Sequence, residues 1–398
     1  MSPQPRHLKT VEADPLQVAE FFAGVGLARL GLERAGFQVI WANDFSADKH
    51  RMYQGQFGDT PNHTFVLGDV AEVHGDDIPD IDLAWSSFPC TDLSLAGNMA
   101  GLAGRHSSTF FEFTRVLDEM GLRRPRTVAL ENVTALASSH GGEDLAAAVR
   151  QLNRLGYSVD VLSLDARRFV PQSRGRLFLV ATMDPPEDCP EPNSELRPDW
   201  LQAVFGDPTL TTHRAALPAP PTPLTAGLAG VVEHLPTTDE RWWATDRMQA
   251  FLSSLSPAQA VRVEQLRTSP TVAYRTAYRR TRAGKPVWEV RPDDISGCLR
   301  TARGGSSRQA LVRAGQGHVQ ARWMTPREYA RLMGAGDYQL DGLRDLQALF
   351  GFGDAVCVDV AGWLATHYLE PLVRGTLAGS QPAMLELVHG KPRHSVAQ

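Results

Sequence analysis

Between residues 16 and 184, short apolar runs alternate with stretches of helical spacing, and this alternation limits what the chain can fold into. LQVAEFF (16–22), FQVIWAND (37–44), IDLAWSSF (81–88), TVALEN (127–132) and RLFLVAT (176–182) read as strands. GLARLGLERAG (26–36), TFFEFTRVLDEMG (109–121) and EDLAAAVRQLNRLG (143–156) carry helical spacing, and glycines close them. Alternation of this kind predicts an α/β fold with a parallel sheet covered by helices.

The texture changes after residue 184, where prolines crowd the chain as far as Pro223. DERWWATDRMQAFLSSL (239–255) returns to helical spacing, TPREYARLMG (325–334) reads as a capped helix, and AVCVDVAGWLATHYLEPL (355–372) as a final amphipathic one. A net charge of -5 looks unpromising for a polyanion partner. It is the sum of opposed parts: residues 267–331 hold 14 Lys+Arg against 4 Asp+Glu, or +10, and the remainder is -15. That basic block predicts a local polyanion-binding face. Four scattered cysteines exclude a disulfide framework or zinc pattern and point to a reducing, cytoplasmic setting. No signal peptide is legible, and no apolar run reads as a membrane helix.

Four places carry chemistry. Phe22-Ala23-Gly24-Val25-Gly26 lies between a strand and a helix, where glycines let a ligand approach the backbone. Asp44 and Asp69 follow the second and third strands as candidate ribose and adenine partners. Pro89-Cys90-Thr91 lies past a strand's carboxyl end, in a loop running on through Ser94 and Gly97. Glu131-Asn132-Val133 ends another strand, and burial beside an acceptor would keep the Glu131 carboxyl protonated. Arg174 and Arg176, at i and i+2 on an extended segment, point the same way as cationic donors.

In their order and spacing these residues resemble the cytosine-C5 DNA methyltransferases over nearly the whole chain. FAGVG resembles the family's cofactor loop, FPCTDLS its Pro-Cys nucleophile motif, ENV its glutamate motif and QSRGR its Gln-x-Arg-x-Arg motif. RWMTPREYARLMG and FGFGDAVCVDV are similar to its two late motifs. Leu27 and Thr91 depart from the commoner glycine and glutamine, and Asp354 from the commoner asparagine.

The resemblance implies a Rossmann-like domain, dependent on S-adenosylmethionine, over residues 1–184. It implies a smaller target-recognition domain over 185–344, a C-terminal segment returning over 345–386, and a tail over 387–398. Cys90 is then the nucleophile, Arg174 the source of a field favouring its thiolate, Glu131 the group at cytosine N3 and Arg176 the group at O2. Phe22, Gly24, Gly26, Asp44, Phe45 (or Trp41), Asp69, Pro89, Gly353, Asp354 and Ala355 would surround the cofactor. Ser94, Arg300, Arg303, Gly304, Gly305 and Arg308 would meet double-stranded DNA, with the target cytosine flipped out. No metal is implied. A restriction endonuclease is the implied functional partner of a monomeric bacterial enzyme that is nucleoid-associated. A tRNA cytosine-C5 methyltransferase is the nearest alternative, and a nicotinamide-dependent oxidoreductase a more distant one that leaves Pro-Cys unexplained.

Overall fold

The computed structural model describes residues 14–89, 109–189, 194–282, 284–300 and 308–378. The first half runs β1 (Leu16–Phe21), α1 (Leu27–Arg34), β2 (Phe37–Asp44), α2 (Ala47–Phe57), β3 (Thr64–Leu67), β4 (Leu83–Ser86), α3 (Thr109–Glu119), β5 (Thr127–Val133), α4 (Glu143–Arg154), β6 (Ser158–Asp165) and β7 (Gly175–Thr182). These strands form one seven-stranded sheet in the order β3-β2-β1-β4-β5-β7-β6. The strands from β3 to β5 are mutually parallel, but β7 runs antiparallel to both of its neighbours. The sheet is parallel-dominant, as the alternation predicts, with β7 its one reversed strand. β7 follows β6 as a hairpin partner and slots between β6 and β5, which reverses its direction. α2 and β6, not singled out in the sequence, complete the sheet and its cover.

Apolar residues line both faces. Val18, Val39, Leu83, Trp85 and Phe178 point to one side, while Ala19, Phe21, Trp41, Val128 and Leu179 point to the other. A sheet buried on both sides is the reason its strands read as near-continuous apolar runs.

The second half runs α5 (Gln202–Gly206), α6 (Thr245–Ser253), α7 (Pro257–Thr268), β8 (Ala273–Arg282), β9 (Lys285–Val290), β10 (Ala310–Gly315), β11 (His318–Trp323), α8 (Pro326–Leu332), α9 (Asp345–Asp354), α10 (Val358–Leu364) and α11 (Glu370–Val373). β8 to β11 form an antiparallel sheet ordered β11-β10-β8-β9. Its own small core comprises Trp243, Phe251, Val263, Ala277, Val290 and their neighbours. That core is narrower than the 185–344 span expected of the smaller domain. Leu196, Ala215, Leu228, Tyr329, Leu332 and Tyr338 belong to the main core instead. α6 is also shorter than the helix expected over 239–255, because the Trp243 N–H bonds to the Ala321 carbonyl of β11.

α8 forms as expected. Thr325 and Glu328 make reciprocal capping bonds, and Pro326 occupies the first turn. The last helix begins only at Val358, and residues Ala365–Leu369 widen into a π-helical turn. Pro371 follows it and offers no N–H to the preceding turn. α10 crosses α1 so closely that a Cβ at Gly31 would stand 2.6 Å from the Val358 carbonyl oxygen. The helical run Asp345–Val373 is, by length and composition, apolar enough to cross a membrane, but 72% of its most apolar window is buried in the protein. Its apolarity is accounted for by packing against the main core.

Candidate active site

At the end of β1 the chain turns through Phe22, Gly24 and Gly26 with φ of 57°, 59° and 76°. A Cβ at Gly26 would fall 2.4 Å from the Phe57 ring, so conformation and space both demand glycine. A Cβ at Gly24 would make only ordinary contact, at 3.9 Å, so there the left-handed φ and not crowding favours glycine. Asp44 is buried at the end of β2 and holds the turn. Its Oδ2 accepts from the Gly24 N–H at 2.9 Å and its Oδ1 from the Ser46 N–H at 2.8 Å.

Phe45, the next residue, is 70% exposed, an unusual state for a phenylalanine at a sheet's carboxyl edge. Trp41 is buried in the core, its ring centroid 4.9 Å from that of Phe21. Of the two rings offered by the sequence for an adenine, Phe45 has the free face. Asp69 is exposed after β3 and lines a hollow of about 410 Å³ with Val66, Leu67 and Glu72.

A polar cluster that sequence reading did not single out lies under the turn. Glu20 of β1 is 1% exposed, and its Oε2 has no hydrogen-bond partner among the described residues. Burial pushes its carboxyl up to about 8, although nearby Arg29 opposes the shift. Arg29 donates to Glu33 at 2.7 Å and to the Tyr53 hydroxyl at 3.2 Å. His63 faces the same hydroxyl at 2.9 Å and is pushed down to about 4 by burial and Arg29.

A pH dependence follows. Above pH 6.5 His63 is neutral in the folded chain and loses its remaining proton in the unfolded one, so its contribution, opposite to that of Glu20, fades as pH rises. Glu20 is ionised in the unfolded chain but protonated in the folded one until about 8, so folding takes up a proton. Stability is therefore expected to fall from pH 6.5 to 8, by up to about 1.4 kcal/mol per pH unit from this group. Glu20→Gln should flatten that slope in urea titrations. Equal slopes for variant and wild type would refute the assignment.

Opposite the turn, at the carboxyl ends of β4 and β5, stand the residues expected to do chemistry. Glu131 is buried, and its Oε1 lies 2.8 Å from the Arg176 Nε. Its neighbour is thus a cationic donor and not the acceptor that sequence reasoning supposed. Asn132 donates from Nδ2 to the Phe88 carbonyl at 3.1 Å, which ties β5 to the segment ending in Pro89. Cys90 and Ser94 lie outside the described residues.

Arg174 ties together distant segments of the chain. Its guanidinium is buried and donates to the carbonyls of Leu299 (3.0 Å), Gly353 (3.0 Å) and Ala355 (2.6 Å). These three bonds make Arg174 a joint between chain segments, and Arg176 is the donor beside Glu131. Gln172 is a second joint, bonding the Leu332 carbonyl at 2.7 Å and the Leu299 N–H at 3.1 Å. Cys298, also missed by sequence reading, lies 3.4 Å from Arg174 Nη1. Burial pushes its thiol up, but Arg174, Arg176 and Arg300 more than reverse that, so its pKa is lowered.

The C-terminal segment returns over the glycine loop. The Tyr338 hydroxyl lies 2.9 Å from the carbonyls of both Val25 and Met52, and Gly351 packs against the same two residues. Asp354 forms an ion pair with Lys49 of α2 at 3.0 Å, so its negative charge is matched where the commoner residue is neutral. Ala355 follows as the end of α9.

Of the candidate DNA contacts, Arg300 is exposed and Arg308 half-buried, and Arg303, Gly304 and Gly305 lie outside the described residues. Many of the arginines in the block are ion-paired, although Glu289, Asp293, Asp294 and Glu328 are already subtracted in its +10. Arg267, Arg275, Arg280, Arg282, Arg291 and Arg322 are each paired with a carboxylate of the same domain.

Comparison with known proteins agrees with this geometry. Residues 16–370 match the family described as C-5 cytosine-specific DNA methylase. The chain is 28% identical over 361 residues to Type II methyltransferase M.DsaV of Dactylococcopsis salina, covering 90% of this chain and 88% of that protein. It is 33% identical over 169 residues to M.Bsp6I of Bacillus sp. (strain RFL6), spanning 42% of this chain and about half (51%) of that one. In fold it is similar to the S. pombe Dnmt2 methyltransferase, with a TM-score of 0.55, 16% identity, and coverage of 90% of this chain and 99% of that chain. With the glycine turn, the glutamate–arginine pair and the returning C-terminal segment all set at one edge of the sheet, the chain belongs to the C-5 cytosine-specific DNA methylase family and is a DNA cytosine-5 methyltransferase.

Proposed function

We propose that the enzyme methylates C5 of a cytosine flipped out of a specific duplex DNA site, through a covalent bond between Cys90 and C6. The observation that carries this reading is the buried Glu131–Arg176 pair, linked by Asn132 to the segment that leads directly into Cys90.

C5 of cytosine is a poor nucleophile. Addition of the Cys90 thiolate at C6 makes C5 enamine-like. Glu131 supplies the hydrogen bond or proton at N3 that stabilises the charge developing on addition, and Arg176 holds O2. After methylation, loss of the C5 proton expels Cys90 and restores the aromatic ring. None of these atoms is within reach while the base is stacked, so the cytosine must leave the helix at a cost of roughly a few kcal/mol.

S-adenosylmethionine, when bound, supplies the electrophilic methyl group. The residues present fit it. The left-handed glycine turn at Gly24 and Gly26 suits close approach of a ligand to the backbone, the free face of Phe45 suits an adenine, and exposed Asp69 suits its amine. Phe22, Gly26, Asp44, Pro89, Asp354 and Ala355 complete the surround. The same reading includes a cognate restriction endonuclease as functional partner, a monomeric enzyme and a cytoplasmic, nucleoid-bound location.

The test is trapping. Duplex DNA carrying 5-fluorocytosine at the methylated position cannot lose its C5 substituent, so with S-adenosylmethionine it should leave a stable protein–DNA adduct. Absence of an adduct, or methyl transfer to tRNA in preference to duplex DNA, would overturn the proposal.

A further inference from the structure

The small domain carries a feature that its fold alone does not require. In its sheet, Ala310 of β10 pairs with Ala277 of β8 and with Trp323 of β11, and Ala277 pairs with Val290 of β9. Side chains two residues apart on a strand share a face. One step along that face, Arg279 therefore stands opposite Trp288, and Arg308 lies two residues before Ala310. α6 brings Arg247 to the same place. Its guanidinium carbon sits 4.2 Å from the Trp243 ring centre and 5.0 Å from that of Trp323. Arg308 sits 5.1 Å from the Trp323 ring and Arg279 5.9 Å from that of Trp288.

We propose that Arg247, Arg279 and Arg308, mounted on Trp243, Trp288 and Trp323, form the surface by which the small domain grips the phosphate backbone of duplex DNA. The assignment rests on the DNA-methyltransferase reading above and adds a surface to it. Arg247 comes from outside the basic block that the sequence made conspicuous.

Three features separate this group from the domain's other arginines. Most of those are neutralised by their own carboxylates, whereas Arg247 and Arg308 form no ion pair among the described residues. Burial, then Arg279 and Arg308, hold Arg247 below the usual arginine range, so both charges oppose that of Arg247. The Arg308 Nε is buried without a partner among the described residues. A guanidinium attracted to a tryptophan ring keeps the edges of its fork for a second partner. Phosphate oxygens meet that geometry and relieve the mutual repulsion. Arg308 is also the first described residue after 301–307, the stretch that holds Arg303, Gly304 and Gly305, so the surface adjoins the candidate target-reading segment.

The experiment compares wild type with Arg247→Ala and Arg247→Lys. Binding of a duplex that the enzyme methylates, and of one that it does not, is followed by fluorescence anisotropy between 50 and 200 mM salt. S-adenosylmethionine binding and melting temperature are measured in parallel. Loss of one phosphate contact should make the slope of log K against log salt shallower by about 0.9. The advantage of wild type should then shrink about 3-fold across that salt range. The loss should be equal on both duplexes, the lysine variant should recover the slope, and cofactor binding should not change.

A wild-type slope in Arg247→Ala overturns the proposal, as does a loss confined to the methylated sequence, which would mean base reading. Lowered melting temperature with weakened cofactor binding would also overturn it, by making Arg247 a packing residue. A wild type that transfers no methyl group to any duplex refutes the enzyme reading itself, and that result is obtained before any variant is made.

Discussion

Cys90→Ala is expected to reduce methyl transfer by at least about 10⁴-fold, to background, while S-adenosylmethionine and duplex DNA still bind with near wild-type affinity. The size of the effect follows from the chemistry. A free thiol has a pKa of ~8.5 and is only a few per cent ionised at neutral pH, yet its thiolate is the one group at this position able to add to C6. Alanine offers no lone pair, and without addition C5 keeps its aromatic, unreactive character. The groups proposed to hold the cofactor lie on the turn after β1 and at the ends of β2 and β3, so they should survive the change. The bond from Asn132 to the Phe88 carbonyl positions the chain before Cys90 and is equally independent of its side chain. Filter binding of labelled methyl groups on DNA, beside calorimetric titration of the cofactor, separates the two effects. Activity above a few per cent of wild type would remove Cys90 from the mechanism.

How much of this was legible beforehand depended on how local each signal is. β1, α1, β2 and α8 were readable because periodicity, glycine stops and a capping pair act within a dozen residues. The reversal of β7 was not, because strand direction is decided by a hairpin with β6, a strand not singled out from the sequence. Among the site residues, Gly24, Gly26 and Glu131 were found through motifs that tie one residue to one local conformation or strand end. The bonds that Arg174 makes were not legible, because its partners at Leu299, Gly353 and Ala355 are more than 120 residues away in sequence. Glu20 and Cys298 left no mark in the sequence, since both owe their character to burial and neighbours from distant segments. The charge block is incomplete as a guide for the same reason. A count of arginines does not register that Arg280 and Arg282 share Glu289, or that Arg247 joins from α6.

Arg174 carries the second large effect, and it is one of stability that reaches the cofactor. Arg174→Met preserves much of the length of the side chain and removes the guanidinium. The carbonyls of Leu299, Gly353 and Ala355 would then be buried without their donor. Each orphaned acceptor costs about 1–3 kcal/mol, and relaxation around the unbranched methionine should recover part of that. A net loss of about 3–5 kcal/mol is expected, seen as a fall of about 5–10 °C in melting temperature. Gly353 and Ala355 bracket the segment that closes on the glycine turn, so loosening them should also raise the KM for S-adenosylmethionine more than it lowers kcat. Arg174→Lys is the informative companion. It restores a cation, but its single ammonium does not reproduce the spread of a planar fork across three carbonyls, so it should recover only part of the stability. A role in polarising Cys90 predicts the opposite pattern: kcat falls, KM and melting temperature hold, and lysine rescues activity. Thermal melts and steady-state kinetics on the two variants decide between a joint and a catalytic field.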